Sequence, residues 1–283
     1  MNKKFIGTGV ALITPFNKDL SVDHKSLENI VEYNISNGTD YLVISGTTGE
    51  SVTITTSEKK DIINTISNVN KGRLPLVLGI GGNNTAEVIS EIENTDLSNI
   101  DAILSVSPYY SKPTQEGLYQ HFKAVSKASP VSIILYNVPG RTSKNMLPET
   151  TLRLANDFEN IIAVKEASND VHQYMQLLIN KPEDFLVISG DDALTLPHLF
   201  VGGDGVISVV ANAFPKRFST MVNQALEGNL EPAREKHYEL LEIIHYLFKD
   251  GNPAGIKHLL KLINICSDKV RLPLVNVSKT TAR

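Results

Sequence analysis

The chain has 283 residues, 41% of them hydrophobic and 20% charged, which allows a sizeable core and excludes disorder by composition. Lys and Arg number 27 against 31 Asp and Glu, a formal charge of −4 with no long run of either sign, so neither nucleic acid nor an anionic membrane surface is an expected partner. Cys266 is the only cysteine; it excludes an intrachain disulfide framework and a cysteine-rich zinc module, and fits a reducing cytoplasm.

The opening stretch, Lys3 to Pro15, is broken by Gly7, Thr8 and Gly9 and reads as a first strand rather than a secretory segment. No apolar run reaches the length a membrane helix needs. Strands are expected at Gly9–Ile13, Tyr41–Ser45, Leu76–Leu78, Ala102–Val106, Val131–Tyr136, Ile161–Lys165, Phe185–Ser189 and Gly205–Val209. Most are rich in Val and Ile with little polar alternation, as strands covered on both faces should be. Amphipathic stretches lie between them, at Leu27–Ile35, Lys59–Val69, Ala86–Ile92 and Leu118–Val125, with Asp23, Ser57, Thr85 and Thr114 placed as N-caps. Eight such alternations give the α/β class and the count of a (β/α)8 TIM barrel. Ala233–Phe248 and a segment from Pro253 are helical with no new strand. The expected organisation is a catalytic barrel over residues 1–229 and a C-terminal helical extension over 230–283.

Several chemistries lack their motifs. There is no HExxH, no GxSxG, no GxxxxGK[ST], and the histidines have no ligand spacing. Gly79-Ile-Gly-Gly begins like a dinucleotide loop, but the third glycine would fall on Asn84. Gly202-Gly-Asp-Gly205 could nest a phosphate, although tight-turn chemistry explains its glycines as well.

In a barrel the C-terminal strand ends build the active site. Here they supply Gly46-Thr-Thr-Gly-Glu50, Ser107-Pro-Tyr-Tyr110, Tyr136-Asn-Val-Pro-Gly-Arg141, Lys165-Glu-Ala-Ser168 and Gly190-Asp-Asp192. No strand-end carboxylate pair stands out, which weakens glycosidase and metal-hydrolase readings. Lys165 ends a run that should lie in the barrel wall. A lysine there can be an imine-forming amine, since burial favours the neutral form, or it can snorkel to solvent. Tyr136 can be a packed tyrosine or a proton carrier. Arg141 can sit on the surface or hold a carboxylate with two parallel hydrogen bonds.

Together these residues resemble a known family. Gly46-Thr-Thr-Gly-Glu-Ser51, Tyr136-Asn-Val-Pro-Gly-Arg-Thr142 and Val164-Lys-Glu-Ala-Ser168, in that order, resemble the pyruvate-dependent class I aldolase superfamily, and within it the dihydrodipicolinate synthase (4-hydroxy-tetrahydrodipicolinate synthase) family. The likeness runs from Gly7 to Arg271-Leu-Pro-Leu274, after which the chain stops short of the final helix many members carry.

The resemblance implies a lyase that condenses pyruvate with L-aspartate 4-semialdehyde, in the diaminopimelate route to lysine. Lys165 would form the imine with pyruvate, and Tyr136 would carry protons. Thr47 would link Tyr136 to Tyr110 of a neighbouring subunit. Thr48 and the Ile207 backbone would hold pyruvate's carboxylate region, Arg141 the carboxylate of the semialdehyde, and Gly190 would line the substrate site. It implies no metal and no organic cofactor, a cytoplasmic homodimer or homotetramer, and small-molecule partners only. Sialic acid lyases and keto-deoxy-sugar aldolases share the lysine and tyrosine but typically lack the arginine, so a sugar-acid aldolase is the alternative reading. A keto-acid sensor on the same fold would be expected to have lost Lys165 or Tyr136, and both are present. Lysine-inhibited members carry an effector pocket built on an Asn, a Glu, a Tyr and a His. The matching positions are Asn83, Glu87, Tyr109 and Lys59. A lysine in place of the imidazole would repel the effector's ammonium, so weak or absent inhibition by lysine is expected.

Overall fold

The computed structural model describes residues 2–282. After a short 3-10 turn at Asn2–Phe5 come β1 (Gly7–Ala11), α1 (His24–Ile35), β2 (Tyr41–Ile44), α2 (Thr56–Asn70), β3 (Leu76–Gly79) and α3 (Thr85–Asn94). Next are β4 (Ala102–Val106), α4 (Gln115–Ala128), β5 (Ser132–Asn137), α5 (Pro139–Thr142), α6 (Pro148–Asp157) and β6 (Ile161–Glu166). Then follow α7 (Val171–Asn180), β7 (Leu186–Ser189), α8 (Thr195–Phe200), β8 (Gly205–Ser208), α9 (Pro215–Leu226), α10 (Leu230–Lys249) and α11 (Ala254–Leu262). The strands form a closed barrel in the order β1 to β8, with parallel neighbours. This is the expected TIM barrel. Among the described residues no helix is long and apolar enough to cross a membrane.

Contacts divide the chain into two compact units. One holds Pro75–Ile207 and the N-terminal residues through Ile6; the other holds Gly7–Leu74 and the chain from Ser208 onward. In the first unit, two aspartates that immediately precede strands hook the start of the strand before. Asp101 accepts from the Leu76 N–H at 2.9 Å and Asp204 from the Val187 N–H at 2.8 Å. The second unit repeats the device, with Asp40 accepting from the Thr8 N–H at 2.7 Å. Each carboxylate satisfies a backbone donor at a strand start and fixes the parallel register there.

In the second unit, β1 begins two residues earlier than the sequence suggests. Gly7 and Gly9, which interrupt the apolar run, lie inside the strand, because a Cβ on Gly9 would fall 2.2 Å from the Tyr41 ring. Helix α2 starts at Thr56 with Thr55 as its cap, not Ser57, because Thr55 and Glu58 form a reciprocal capping box. In the same unit, Ala233, His237, Leu240, Ile244 and Leu247 are the buried residues of α10, spaced by three and four, and α10 packs on α9.

In the first unit Asn84, not Thr85, caps α3 by accepting from the Ala86 N–H at 3.1 Å. The residue that breaks the dinucleotide pattern is thus a helix cap. Gly203 answers to packing, since a Cβ there would lie 2.1 Å from the His198 ring.

Candidate active site

The alternation of β5 and β6 decides which strand-end residues face the barrel interior. Tyr136 and Lys165 are direct cross-strand partners, as are Asn137 and Glu166 one residue on. Successive side chains point to opposite faces, so the two pairs take opposite sides of the wall. Asn137 and Glu166 take the helix side, because Glu166 accepts from Gln173 Nε2 of α7 at 2.9 Å. Tyr136 and Lys165 therefore face inward.

Both inward residues are buried, Lys165 to 6% and Tyr136 to 7% exposure, and the Lys165 Nζ lies 4.3 Å from the Tyr136 ring centroid. Among the described residues no carboxylate pairs with the Lys165 ammonium and no group bonds the Tyr136 hydroxyl. Gly190, after β7, leaves the space that Lys165 occupies. A methyl at Gly190 would lie 3.1 Å from Lys165 Cε and 2.6 Å from Ala167 Cβ. Ile207, on β8, is buried.

Behind the wall lies a polar network that the sequence reading did not single out. Glu166 is fully buried and accepts from Asn137 Nδ2 at 3.1 and 2.9 Å, from the Ser168 N–H at 2.8 Å and from Gln173. Burial raises its carboxyl pKa against the pull of these donors. Asn137 Oδ1 accepts from the Met146 N–H at 3.0 Å, while Asn145 Oδ1 accepts from Asn137 Nδ2 at 2.8 Å and Asn145 exchanges hydrogen bonds with Gln173. The network closes the segment between β5 and α6, and that segment carries α5 and Arg141. Arg141 is exposed, and among the described residues its guanidinium has no acidic partner. The strand expected at Ile161–Lys165 runs one residue further and takes in Glu166, and the available signal was an acidic residue directly after an apolar wall strand.

The loop after β4 holds Tyr109 and Tyr110. Tyr110 is 89% exposed with φ 68°, a left-handed conformation that holds a large ring out from the loop. Asn83 Nδ2 donates to the Tyr109 carbonyl at 3.4 Å, and Glu87 is exposed in the first turn of α3. In the second unit, Thr47 and Thr48 stand in the turn after β2. Thr47 is exposed and Thr48 is buried, its hydroxyl accepting from Asn252 Nδ2 at 2.9 Å. Lys59 is half-buried on α2. Among the described residues, no three His, Cys, Asp or Glu side chains gather as metal ligands.

An inward lysine thus stands beside an inward tyrosine on adjacent strands. The profile of the dihydrodipicolinate synthetase family matches residues 4–283. The chain belongs to that family. It is 56% identical to the 4-hydroxy-tetrahydrodipicolinate synthase of Flavobacterium psychrophilum, over 97% of this chain and 94% of that protein. It superposes on the dihydrodipicolinate synthase of Thermotoga maritima with a TM-score of 0.96, at 39% identity and covering 99% of this chain and 95% of the other. A structure described as a monomeric dihydrodipicolinate synthase variant gives a TM-score of 0.96 at 38% identity, covering 99% of this chain and 94% of the other. Within this family the sequence expectation for the fold holds, and Lys165 and Tyr136 stand side by side.

Proposed function

We propose that the chain condenses pyruvate with L-aspartate 4-semialdehyde to give 4-hydroxy-tetrahydrodipicolinate, as a lyase of the class I aldolase type. The observation that carries the reading is the inward pair on β5 and β6, with Lys165 Nζ 4.3 Å from the Tyr136 ring and, among the described residues, no carboxylate paired with it. Likeness to relatives named for this activity supports it across nearly the whole chain.

In the proposed sequence, the neutral amine of Lys165 adds to the ketone carbon of pyruvate. Water leaves, and a protonated imine remains as an electron sink. Loss of a methyl proton gives the enamine, whose carbon attacks the aldehyde of the second substrate. The amine of that substrate then displaces Lys165 as the ring closes. Tyr136 carries protons at imine formation and cyclisation, with Thr47 as a relay and Tyr110 offered to a neighbouring subunit. Thr48, Gly190 and the Ile207 backbone hold pyruvate, and the unpaired guanidinium of Arg141 takes the semialdehyde carboxylate. The chemistry calls for no metal or organic cofactor.

We read residues 1–229 as the catalytic barrel, 230–283 as its extension, and the working form as a cytoplasmic homodimer or homotetramer. Asn83, Glu87, Tyr109 and Lys59 are the proposed effector residues, with the Lys59 charge disfavouring lysine. Inhibition by sub-millimolar lysine at neutral pH would count against that reading.

The decisive experiment is borohydride reduction in the presence of pyruvate, followed by mass mapping, alongside a coupled assay. Wild-type protein should gain one reduced pyruvyl adduct, on Lys165. Lys165→Ala and Lys165→Arg should lose both labelling and turnover, since a guanidinium stays protonated. Arg141→Ala should still label, with the Michaelis constant for the semialdehyde raised about tenfold or more and that for pyruvate little changed. Near-normal turnover by Lys165→Ala would refute the imine route.

A further inference from the structure

The turn after β2 is tied to the C-terminal extension through an ion pair sealed from solvent. The side chains of Glu50 and Lys257, the latter on α11, are both 0% exposed, with Nζ 2.5 Å from Oε1. Their remaining capacity is also used. Lys257 donates to the Lys269 carbonyl at 2.9 Å, and Glu50 Oε2 accepts from the Arg271 N–H at 2.9 Å. The Phe16 ring lies against both cations, 4.0 Å from Lys257 Nζ and 4.3 Å from the Arg271 guanidinium carbon.

Replacing a buried ion pair by apolar residues of similar volume is often neutral or stabilising, so stability alone accounts poorly for this one. Direction accounts for it better. A carboxylate gripped by donors from two segments fixes the orientation of the residue that carries it. Glu50 needs such a grip, because its backbone is left-handed, with φ 55° and ψ 37°. It closes the turn in which the Glu50 N–H donates to the Thr47 carbonyl at 3.1 Å and the Gly49 N–H to the Gly46 carbonyl at 3.1 Å. Two more bonds hold the same five residues: Asn252 Nδ2 to Thr48 Oγ1 at 2.9 Å, and Thr14 Oγ1 to the Gly49 carbonyl at 2.7 Å.

We propose that the C-terminal extension positions the Thr47-Thr48 hydroxyls for the reaction, with the Glu50–Lys257 pair as its fixed point and the Asn252–Thr48 bond as its second hold. This rests on the reading of those two threonines as site residues. Glu50, Lys257 and Asn252 are positioning residues; they act through the turn and meet no substrate.

The test is the double variant Glu50→Gln/Lys257→Met, which removes both charges so that neither is left buried alone. Active sites are counted by pyruvate-dependent borohydride labelling, and kcat is expressed per labelled site. The expected result is a kcat per site about tenfold lower or more, a pyruvate KM raised several-fold, and an unchanged KM for the semialdehyde. A pair that serves stability alone would lower the unfolding temperature or the number of labelled sites and leave kcat per site at the wild-type value; that result overturns the proposal. Adding Thr47→Val to the double variant should cost far less than Thr47→Val costs alone, because the two act on one group. Full additivity overturns it as well. Should the double variant not fold, Asn252→Leu carries the test: a raised pyruvate KM with an unchanged semialdehyde KM supports the proposal, and two unchanged constants refute it. Wild-type kcat in Thr47→Val by itself would remove the reading of that threonine, and the proposal with it.

Discussion

Lys165 is placed by an absence of atoms as much as by its own strand. Gly190 is not in the left-handed region, so the reason for glycine there is room: a methyl would come within 3.1 Å of Lys165 Cε and 2.6 Å of Ala167 Cβ. Gly190→Ala should therefore shift the lysine chain and slow imine formation about tenfold or more, with the fold retained. Pre-steady-state labelling by pyruvate and borohydride checks this, and an unchanged labelling rate would show that the lysine tolerates the methyl. The sequence made Lys165 and Tyr136 legible because each breaks the apolar rule of a wall strand at its C-terminal end. It did not make legible what stands behind them. Glu166 follows the lysine directly, yet its partners Asn137 and Gln173 lie on other elements, and the sequence carries no sign of the hydrogen bonds that join them. The Glu50–Lys257 pair escaped for the same reason at greater range, since 207 positions separate its members.

At the scale of elements, the strands were readable and their ends less so. Ala102–Val106 is the same in sequence and structure, because Asp101 before it and Ser107-Pro108 after it mark both limits. The start of β1 was not, because its glycines look like breakers until the Tyr41 ring is seen in the space a Cβ would take. The aspartates at strand starts were visible as residues, but their purpose appears only when the preceding strand is in place. That purpose is testable at Asp204, which is partly buried and accepts from the Val187 N–H at 2.8 Å. Asp204→Ala should lower stability by about 1–3 kcal/mol, the cost of a buried donor left without a partner. Asp204→Asn keeps an oxygen in place and should cost less. Chemical denaturation of the two variants checks the difference; equal, negligible effects would mean that the Val187 N–H finds another acceptor.

For the whole molecule, the buried histidines set how stability responds to acid. His121 and His198 both lie in the Pro75–Ile207 unit, and burial lowers the pKa of each to about 4. His121 meets Thr85 Oγ1 at 2.9 Å through Nδ1, and His198 meets the Val187 carbonyl at 2.9 Å through Nε2, while the second ring nitrogen of each is buried without a partner. Among the described residues neither ring has a carboxylate to welcome a second proton. An unfolded histidine takes up its proton near pH 6.5, whereas these do so only near 4 when folded. Between those values the unfolded chain binds more protons, so stability rises with pH through this window and is lost on acidification. At about 1.4 kcal/mol per pKa unit, each ring contributes roughly 3 kcal/mol at most across the window. The carboxyls of Asp40, Glu166 and Asp204, raised by burial, oppose the trend, because their folded forms hold protons more readily than the unfolded chain does. Their opposition begins above the ordinary carboxyl range, so the share of the histidines is read from the difference between the wild-type profile and that of each histidine variant. The unfolding temperature, measured at fixed protein concentration, should fall steadily on going from pH 7.5 to 5, and His121→Gln or His198→Gln should each flatten that fall. A flat profile in the wild-type protein, or an unchanged slope in both variants, would mean that the folded chain protonates these rings as easily as the unfolded one.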